Sequence, residues 1–354
     1  MGRGKKIKVF ILSFLTVLIV VGGGGVWLVG RAFSRVEHDG HFEGLIQEME
    51  ASMRERVRAE NEAMEYFIQP SISIAAGEQS ETEENTEEIT PRPNAVNFVM
   101  VGLDHRRLAD AIIVGSLHRD TGDINLMSIP RDMMVHLDED GVSRLEATSR
   151  WGAVPQRLKI NEVRALGGQV SGLDYMVYEI ERMFGIEIDY HVEIRLDAFR
   201  RVVDAIGGVY FFVPVDMYYT DTAQNLFINL ERGHQLLDGY AAEGLVRFRD
   251  SGGAGWNRDA TQLQFIQAVF SQTLSPDGFL NNPLELINIV LSEVRTNAGL
   301  SAVRYIPLVP TIANGTINTY RLPGRGRIID RLYFFVPDED EAPDVIRQVF
   351  FIEG

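Results

Sequence analysis

Six charged side chains crowd one short stretch of this chain, at Asp104, Arg106, Arg107, Asp110, Arg131 and Asp132. Carboxylates with several guanidiniums suit a hard divalent cation together with phosphate: Asp oxygens hold Mg²⁺, and the planar Arg fork clamps phosphoryl oxygens bidentately. Polar residues also collect at strand ends simply because loops are polar, so the stretch by itself is compatible with either reading. A second group is Arg247 and Arg249, with Asp250 next and Arg258 further on. In an extended segment Arg247 and Arg249 would face one way while Val246 and Phe248 pack inward. Arg258 opens the apolar-periodic run Asp259–Leu274, which predicts a helix. A cation at a helix N-terminus opposes the dipole unless an anion sits there as well. Pairing of these arginines with the many surface acids is the plain alternative.

The elements around the first group are three short apolar runs, Asn97–Gly102, Ala111–Leu117 and Ile124–Ile129, rich in Val, Ile, Leu and Met. Such runs predict strands of a buried sheet. Asp120–Asp123 (DTGD) is a hairpin signal that makes the second and third strands antiparallel neighbours, and Leu103–Asp110 is a short polar link between the first two. The chain then runs up, down and up, bringing all six charges to one rim. Downstream, Leu137–Leu158 has no clear periodicity. A helix is expected from Ser171, with Asp174 as a capping-box variant, ending at Gly185. Ile186–Ile194 predicts a strand, Asp197 a cap for a second helix that Gly207-Gly208 ends, and Val209–Val213 a further strand closed by Pro214. This alternation predicts an α/β (α+β layered) domain, with a central mixed β-sheet flanked by helices.

With 354 residues, 45% of them hydrophobic, the chain can bury a sizeable core. A formal charge of −16 argues against a nucleic-acid partner, and the absence of cysteine excludes disulfides and thiolate chemistry. Seven histidines show no metal-binding spacing such as H-E-x-x-H. Val9 to Gly30 carries no charge. At about 1.5 Å per helical residue, it is long enough for a bilayer core of about 30 Å. Arg3, Lys5, Lys6 and Lys8 precede it, so residues 1–8 are expected in the cytoplasm, 9–30 as an uncleaved single-pass anchor, and the rest outside the cell membrane. Residues 31–76 form a juxtamembrane segment with a helix expected over Glu37–Phe67. Residues 77–95 form an acidic, proline-containing linker of disordered composition. The globular domain is expected over 96–354, because nothing before Val96 offers apolar surface that it needs.

The ordered series VGLDHR, ADAIIV, SIPRDMMV, KIN, DAFRRVVDAIGGV and GYAAEGLVRFRD, followed by Arg258 and Gln262, resembles the LytR-CpsA-Psr family over about residues 96 to 275. The tail to Gly354 is similar to the weaker C-terminal part of the same domain. The resemblance implies a single-span membrane protein whose outer domain holds a polyprenyl-phosphate lipid. It also implies an enzyme, a Mg²⁺-dependent phosphotransferase that moves a glycopolymer such as a teichoic acid or capsule chain from its undecaprenyl-pyrophosphate carrier onto peptidoglycan. By the same resemblance Asp104 and Asp110 are the Mg²⁺ ligands. Arg131, Arg247, Arg249 and Arg258 bind pyrophosphate. Arg131 is also catalytic, and Asp104 takes the proton of the attacking sugar hydroxyl. Three positions depart from the family pattern: Leu108 stands where an Arg is usual, with Arg107 adjacent, and Gly255 and Thr261 replace an Asp and a second Arg near Arg258. A non-catalytic polyprenyl-pyrophosphate binding or scaffold protein of the cell envelope is the alternative. Turnover with Mg²⁺-dependent release of polyprenyl phosphate separates the two.

Overall fold

A computed structural model describes residues 92, 94–149, 152–249, 258–273, 289, 292–298 and 308–351. The expected anchor at 9–30, the helix at Glu37–Phe67, nearly all of the linker, Asp250 and Gly255 lie outside the described residues. Among the described residues no helix is long and apolar enough to cross a membrane.

Strands β1 (Ala95–Leu103), β2 (Ala109–His118) and β3 (Ile124–Ser128) form the expected antiparallel meander. All five residues of β3 are buried. The reason is visible in the alternation along β2, where Ile112 and Val114 enter one core and Ile113 and Leu117 another. A sheet covered on both faces needs apolar residues at successive positions, which is why these strands read as continuous runs. Gly122, at φ +80°, makes the tight turn of the DTGD segment. The short strand β4 (Met134–His136) follows, then α1 (Glu139–Thr148), β5 (Arg157–Lys159), α2 (Ile160–Leu166) and α3 (Gly168–Phe184). Helix α1 falls in the stretch read as irregular; Asp138 caps it by accepting from the Gly141 N–H at 2.7 Å. Helix α3 starts at Gly168, not Ser171, and has no side-chain cap. Its start is set by packing: a Cβ on Gly172 would lie 2.0 Å from the Arg164 carbonyl oxygen, so glycine lets α3 lie against the end of α2.

Strand β6 (Tyr190–Arg195) is shorter at its start than expected and pairs parallel with β1. In α4 (Leu196–Ala205) the cap position is Arg195, and Asp197 lies inside the first turn, held by the Arg195 guanidinium. Then come β7 (Val209–Val213), β8 (Met217–Asp221), a short 3-10 turn at Thr222–Gln224, β9 (Leu226–Leu230) and β10 (Gly233–Leu237). Two helices, α5 (Gly239–Arg247) and α6 (Arg258–Thr273), precede β11 (Arg295–Thr296). The chain closes with α7 (Val309–Asn314), β12 (Ile317–Arg321), the hairpin β13 (Gly324–Ile329) and β14 (Leu332–Pro337), and α8 (Glu341–Phe350).

The central sheet has the order β11-β6-β1-β2-β3-β12 and is mixed, with β1/β6 and β3/β12 parallel. One face packs α1, α2, α3 and α8 through Leu145, Val163, Met176, Ile180 and Phe350. The other receives α6 through Leu263 and Phe270. A third cluster joins α4, α5 and the hairpin strands β7–β10 around Phe265. The layered α/β architecture expected from the sequence is the one observed. Its contacts begin slightly upstream of Val96: Arg92 donates to the Gln348 carbonyl at 2.8 Å and its N–H to that of Phe350 at 3.3 Å, tying the entry of the domain to α8.

Candidate functional site

The link between β1 and β2 is a closed loop built by one carboxylate. Asp104 Oδ1 accepts from the N–H groups of Arg106 at 2.9 Å and Leu108 at 2.8 Å, and the Asp104 N–H donates to the Leu108 carbonyl at 2.9 Å. The turn forces Arg107 to φ +64°, a left-handed conformation rare for a long side chain. Arg164 supports it from behind by donating to the Arg107 carbonyl at 3.3 Å. The same guanidinium makes a bidentate pair with Glu193 of β6, both bonds at 2.8 Å, and both residues are buried. The loop is therefore anchored to the sheet through a fully matched ion pair.

Asp110 is placed by a register shift. Gly102 pairs with Ala111, but Leu103 pairs with Ala109, so Asp110 is the extra residue of a β-bulge. A bulge leaves its extra residue outside the ladder and re-aims its side chain. The Asp110 carboxylate meets Arg131, bonded to Oδ1, and Arg258, whose Nη1 lies 3.1 Å from Oδ1 and 3.0 Å from Oδ2. Arg249 Nη2 lies 3.9 Å away. The anion expected at the start of α6 is thus Asp110 itself, with Asp259 3.7 Å from the Arg258 Nε. Arg249 is more than half open to solvent, yet its guanidinium end is held below its ordinary pKa, first by partial burial and then by the neighbouring cations Arg258 and Arg131. Asp132 bonds Lys159 at 2.9 Å.

These side chains line one cleft of ≈ 520 Å³, together with His105, Arg106, Leu108, Asn161, Glu162, Tyr219, Gln224, Leu226 and Arg247. Asp104, Asp110, Arg131, Arg247, Arg249 and Arg258 all line it. Six cationic and four acidic side chains line the cleft, in a chain of formal charge −16, so the excess of positive charge is local. It gives the cleft a positive local potential.

Several expectations need correction. Arg247 and Arg249 do not lie on an extended segment: Arg247 is the last residue of α5, and Phe248, buried as expected, caps the helix. The Arg247 guanidinium is pinned by Glu243 at 2.6 Å and by Gln224 Oε1, so it is fixed before any ligand arrives. Arg107 does not line the cleft; Arg106 does, and Leu108 beside it is exposed at the rim. Thr261 is buried in α6, while Gln262 donates to the Val246 carbonyl at 3.0 Å and ties α6 to α5. Lys159 and Asn161 were visible as the KIN motif but had no assigned role. The buried Asn161 Oδ1 has no hydrogen-bond partner among the described residues, and the Lys159 N–H is held by Glu162 at 2.8 Å. Tyr219 and Gln224 come from the β8–β9 hairpin and had no sequence signal.

For a divalent cation the donors are Asp104, with Oδ2 in no hydrogen bond among the described residues, and Asp110, now shared by arginines. No cluster of three or more acidic or histidine ligands exists among the described residues. Two carboxylates at one cleft fit Mg²⁺, which keeps several waters and takes its remaining oxygens from phosphate.

A mixed sheet covered on both faces, with an arginine-walled cleft at the ends of β1, β2 and β3, defines an α/β domain with a cationic cleft. The LytR_cpsA_psr family model matches residues 66–349, and the chain belongs to that family. A relative from Bacillus subtilis (strain 168), a polyisoprenyl-teichoic acid–peptidoglycan teichoic acid transferase TagU, is 23% identical over 98% of this chain and 97% of its own. A relative from Staphylococcus aureus (strain NCTC 8325 / PS 47) is 23% identical over 77% of this chain, which spans 64% of that protein's length. The solved structure of TagT bound to LIIa-WTA superposes with a TM-score of 0.54 at 22% identity, covering 78% of this chain and 97% of that one, and shares the fold.

Proposed function

We propose that this protein is a membrane-anchored phosphotransferase that moves a glycopolymer from an undecaprenyl-pyrophosphate carrier to peptidoglycan in cell wall assembly. The observation that carries the proposal is the set of guanidiniums gathered on Asp110: Arg131 and Arg258 bonded to it and Arg249 close by. That geometry supports reading the cleft as a pyrophosphate receptor held closed by an internal carboxylate. Arg131, Arg249 and Arg258 exchange Asp110 for phosphoryl oxygens when substrate enters, and the pinned Arg247 supplies a further fixed charge. Asp104, whose orientation is fixed by two backbone amides, is the proton acceptor in this reading. The acceptor sugar hydroxyl attacks the phosphorus that bears the glycopolymer and gives its proton to Asp104. A phosphodiester forms, and the bond to the distal phosphate breaks to release polyprenyl phosphate. Bound Mg²⁺, held by Asp104 and Asp110, would neutralise charge on the bridging phosphates. Support for the carrier, acceptor and polymer class comes from the family and from the relatives named for teichoic acid transfer to peptidoglycan. The uncharged run Val9–Gly30 would hold the cleft at the outer face of the cell membrane.

The test is turnover by the full chain in vesicles supplied with a polyprenyl-pyrophosphate-linked glycopolymer, peptidoglycan and Mg²⁺. The expected result is release of polyprenyl phosphate with polymer bound to peptidoglycan, and loss of both in Asp104→Asn. Tight binding of the lipid with no release under these conditions would sink the enzymatic reading and leave the scaffold role.

A further inference from the structure

The hairpin β13–β14 stands beside the cleft and takes no part in it. Its base is fastened to the segment that carries Arg131: the Phe335 N–H donates to the Asp132 carbonyl at 2.8 Å, and Met133 bridges to Phe335. Its tip is a two-residue turn in which Asp330 (φ 51°) and Arg331 (φ 66°) are both left-handed, the conformation that matches strand twist. Arg157 of β5 reaches the tip and pairs with Asp330 at 2.8 Å.

The surface of this finger differs from the rest of the molecule in two ways. Cross-strand pairing puts Ile329 and Leu332 on one face and Ile328 and Tyr333 on the other. Ile328 is 78% exposed, Leu332 57% and Tyr333 51%, so large apolar side chains are bare on both faces of the tip. A sheet that merely covers a core exposes its polar face; one bare on both faces lacks a second layer. The charge is also reversed. Arg327 and Arg331 are exposed and make no ion pair among the described residues, Arg325 lies at the base where its charge acts on Asp338, and Asp330 is neutralised by Arg157. The acids Asp338, Glu339, Asp340 and Glu341 lie at the other end, where the hairpin meets α8.

We infer that the β13–β14 finger enters the interfacial layer of a bilayer carrying anionic headgroups, with Ile328, Leu332 and Tyr333 among the acyl-chain ends and Arg327 and Arg331 on the lipid phosphates. The inference rests on the proposed reading of a lipid-borne substrate at a membrane-tethered chain, and adds a specific contact to it. Cations complement an anionic surface, and an apolar tip with a tyrosine suits the interface where ring and hydroxyl find different media. A soluble polyanion would use the arginines but gives no reason for bare Ile328 and Leu332. Because the finger is rooted on Asp132, its insertion would orient the cleft toward the headgroups from which a pyrophosphate must rise.

The chain has no cysteine, so Ile328→Cys can be labelled at one place with an environment-sensitive fluorophore in the full chain reconstituted in vesicles. Val170→Cys, on the bare first turn of α3 (80% exposed), is the control. In mixed phosphatidylcholine and phosphatidylglycerol vesicles, the label at 328 should show a several-fold rise and blue shift in emission, and the label at 170 none. Each arginine near an anionic surface is worth about fivefold in partitioning, so replacing Arg327 and Arg331 together with Glu should weaken the signal by roughly twenty-five-fold or more. The inference is overturned if the two labels respond alike, if phosphatidylcholine alone gives the full response, or if soluble polyphosphate reproduces it without lipid. A thermal shift with inorganic pyrophosphate, measured on the same variants, reports folding and the cleft separately. Pyrophosphate binding with a tip that stays in water defeats this inference alone, whereas tip insertion without pyrophosphate binding defeats the proposed function alone.

Discussion

Replacing Asp110 with Asn separates two opposite pictures of the cleft. If Asp104 and Asp110 were simply neighbouring carboxylates awaiting a metal, removing one charge would relieve repulsion and leave the fold unchanged or firmer. The observed surroundings reverse that sign. Asp110 is only 19% exposed in its side chain, bonds Arg131 and Arg258, and has Arg249 at 3.9 Å. Hydrogen bonds to charged groups contribute about 1.5–3 kcal/mol each when shielded, and Asn keeps one acceptor oxygen, so the substitution should cost on the order of 2 kcal/mol. For a domain of this size that lowers Tm by about 4–8 °C. Inorganic pyrophosphate should then stabilise the variant more than the wild type in the absence of metal, because it no longer displaces an internal carboxylate; at a hundred times Kd the gain is about 2.7 kcal/mol. Adding Mg²⁺ should favour the wild type, which alone keeps both carboxylates. Thermal unfolding of the full chain with and without pyrophosphate and Mg²⁺ measures all of this. A ligand-free Asp110→Asn protein that melts at or above the wild-type temperature would refute the argument.

Arg131→Ala should lose about 10²-fold or more in turnover, and Arg131→Lys should recover little of it, because a point charge cannot replace the bidentate fork; kcat measured per folded molecule checks it. Arg164→Ala leaves Glu193 buried without its partner and removes the support under the Arg107 carbonyl, so stability should fall by about 3–5 kcal/mol; a denaturant midpoint close to that of the wild type would contradict this. His191 is pushed down to about 4, chiefly by burial and then by Arg295, so it stays neutral in the folded protein while the unfolded chain takes up a proton below about pH 6.5. More protons on the unfolded state mean stability is lost as pH falls from there toward 4. His191→Gln should flatten that limb of the Tm-against-pH curve, and an unchanged slope would exclude His191 as its source.

The sequence made the three-strand meander legible for a physical reason: a sheet buried on both faces demands the unbroken apolar runs of β1, β2 and β3, and DTGD has the chemistry of a tight turn. The rim of charges followed from that topology, because up-down-up returns Asp104, Asp110 and Arg131 to one edge. What stayed hidden has equally definite causes. Spacing by two suggested that Arg247 and Arg249 share a strand face, but α5 runs to Arg247, and its charge is fixed by Glu243 four residues earlier, a helical contact that only the helix reveals. Tyr219 and Gln224 reach the cleft through hairpin pairing of β8 with β9, which leaves no local trace of where that hairpin docks.

The β-bulge is the most consequential feature that composition does not encode. In an unbroken ladder continuing the pair Gly102–Ala111, Asp110 would sit across from Leu103 and Ala109 across from Asp104. The shift instead pairs Ala109 with Leu103 and takes Asp110 out of the ladder. Freed from that constraint, one carboxylate meets arginines from the end of β3, from the segment after α5 and from the first residue of α6. Without an anion at their centre those three guanidiniums would repel one another. The extra residue therefore explains how three guanidiniums can stand together in the folded cleft with no bound anion.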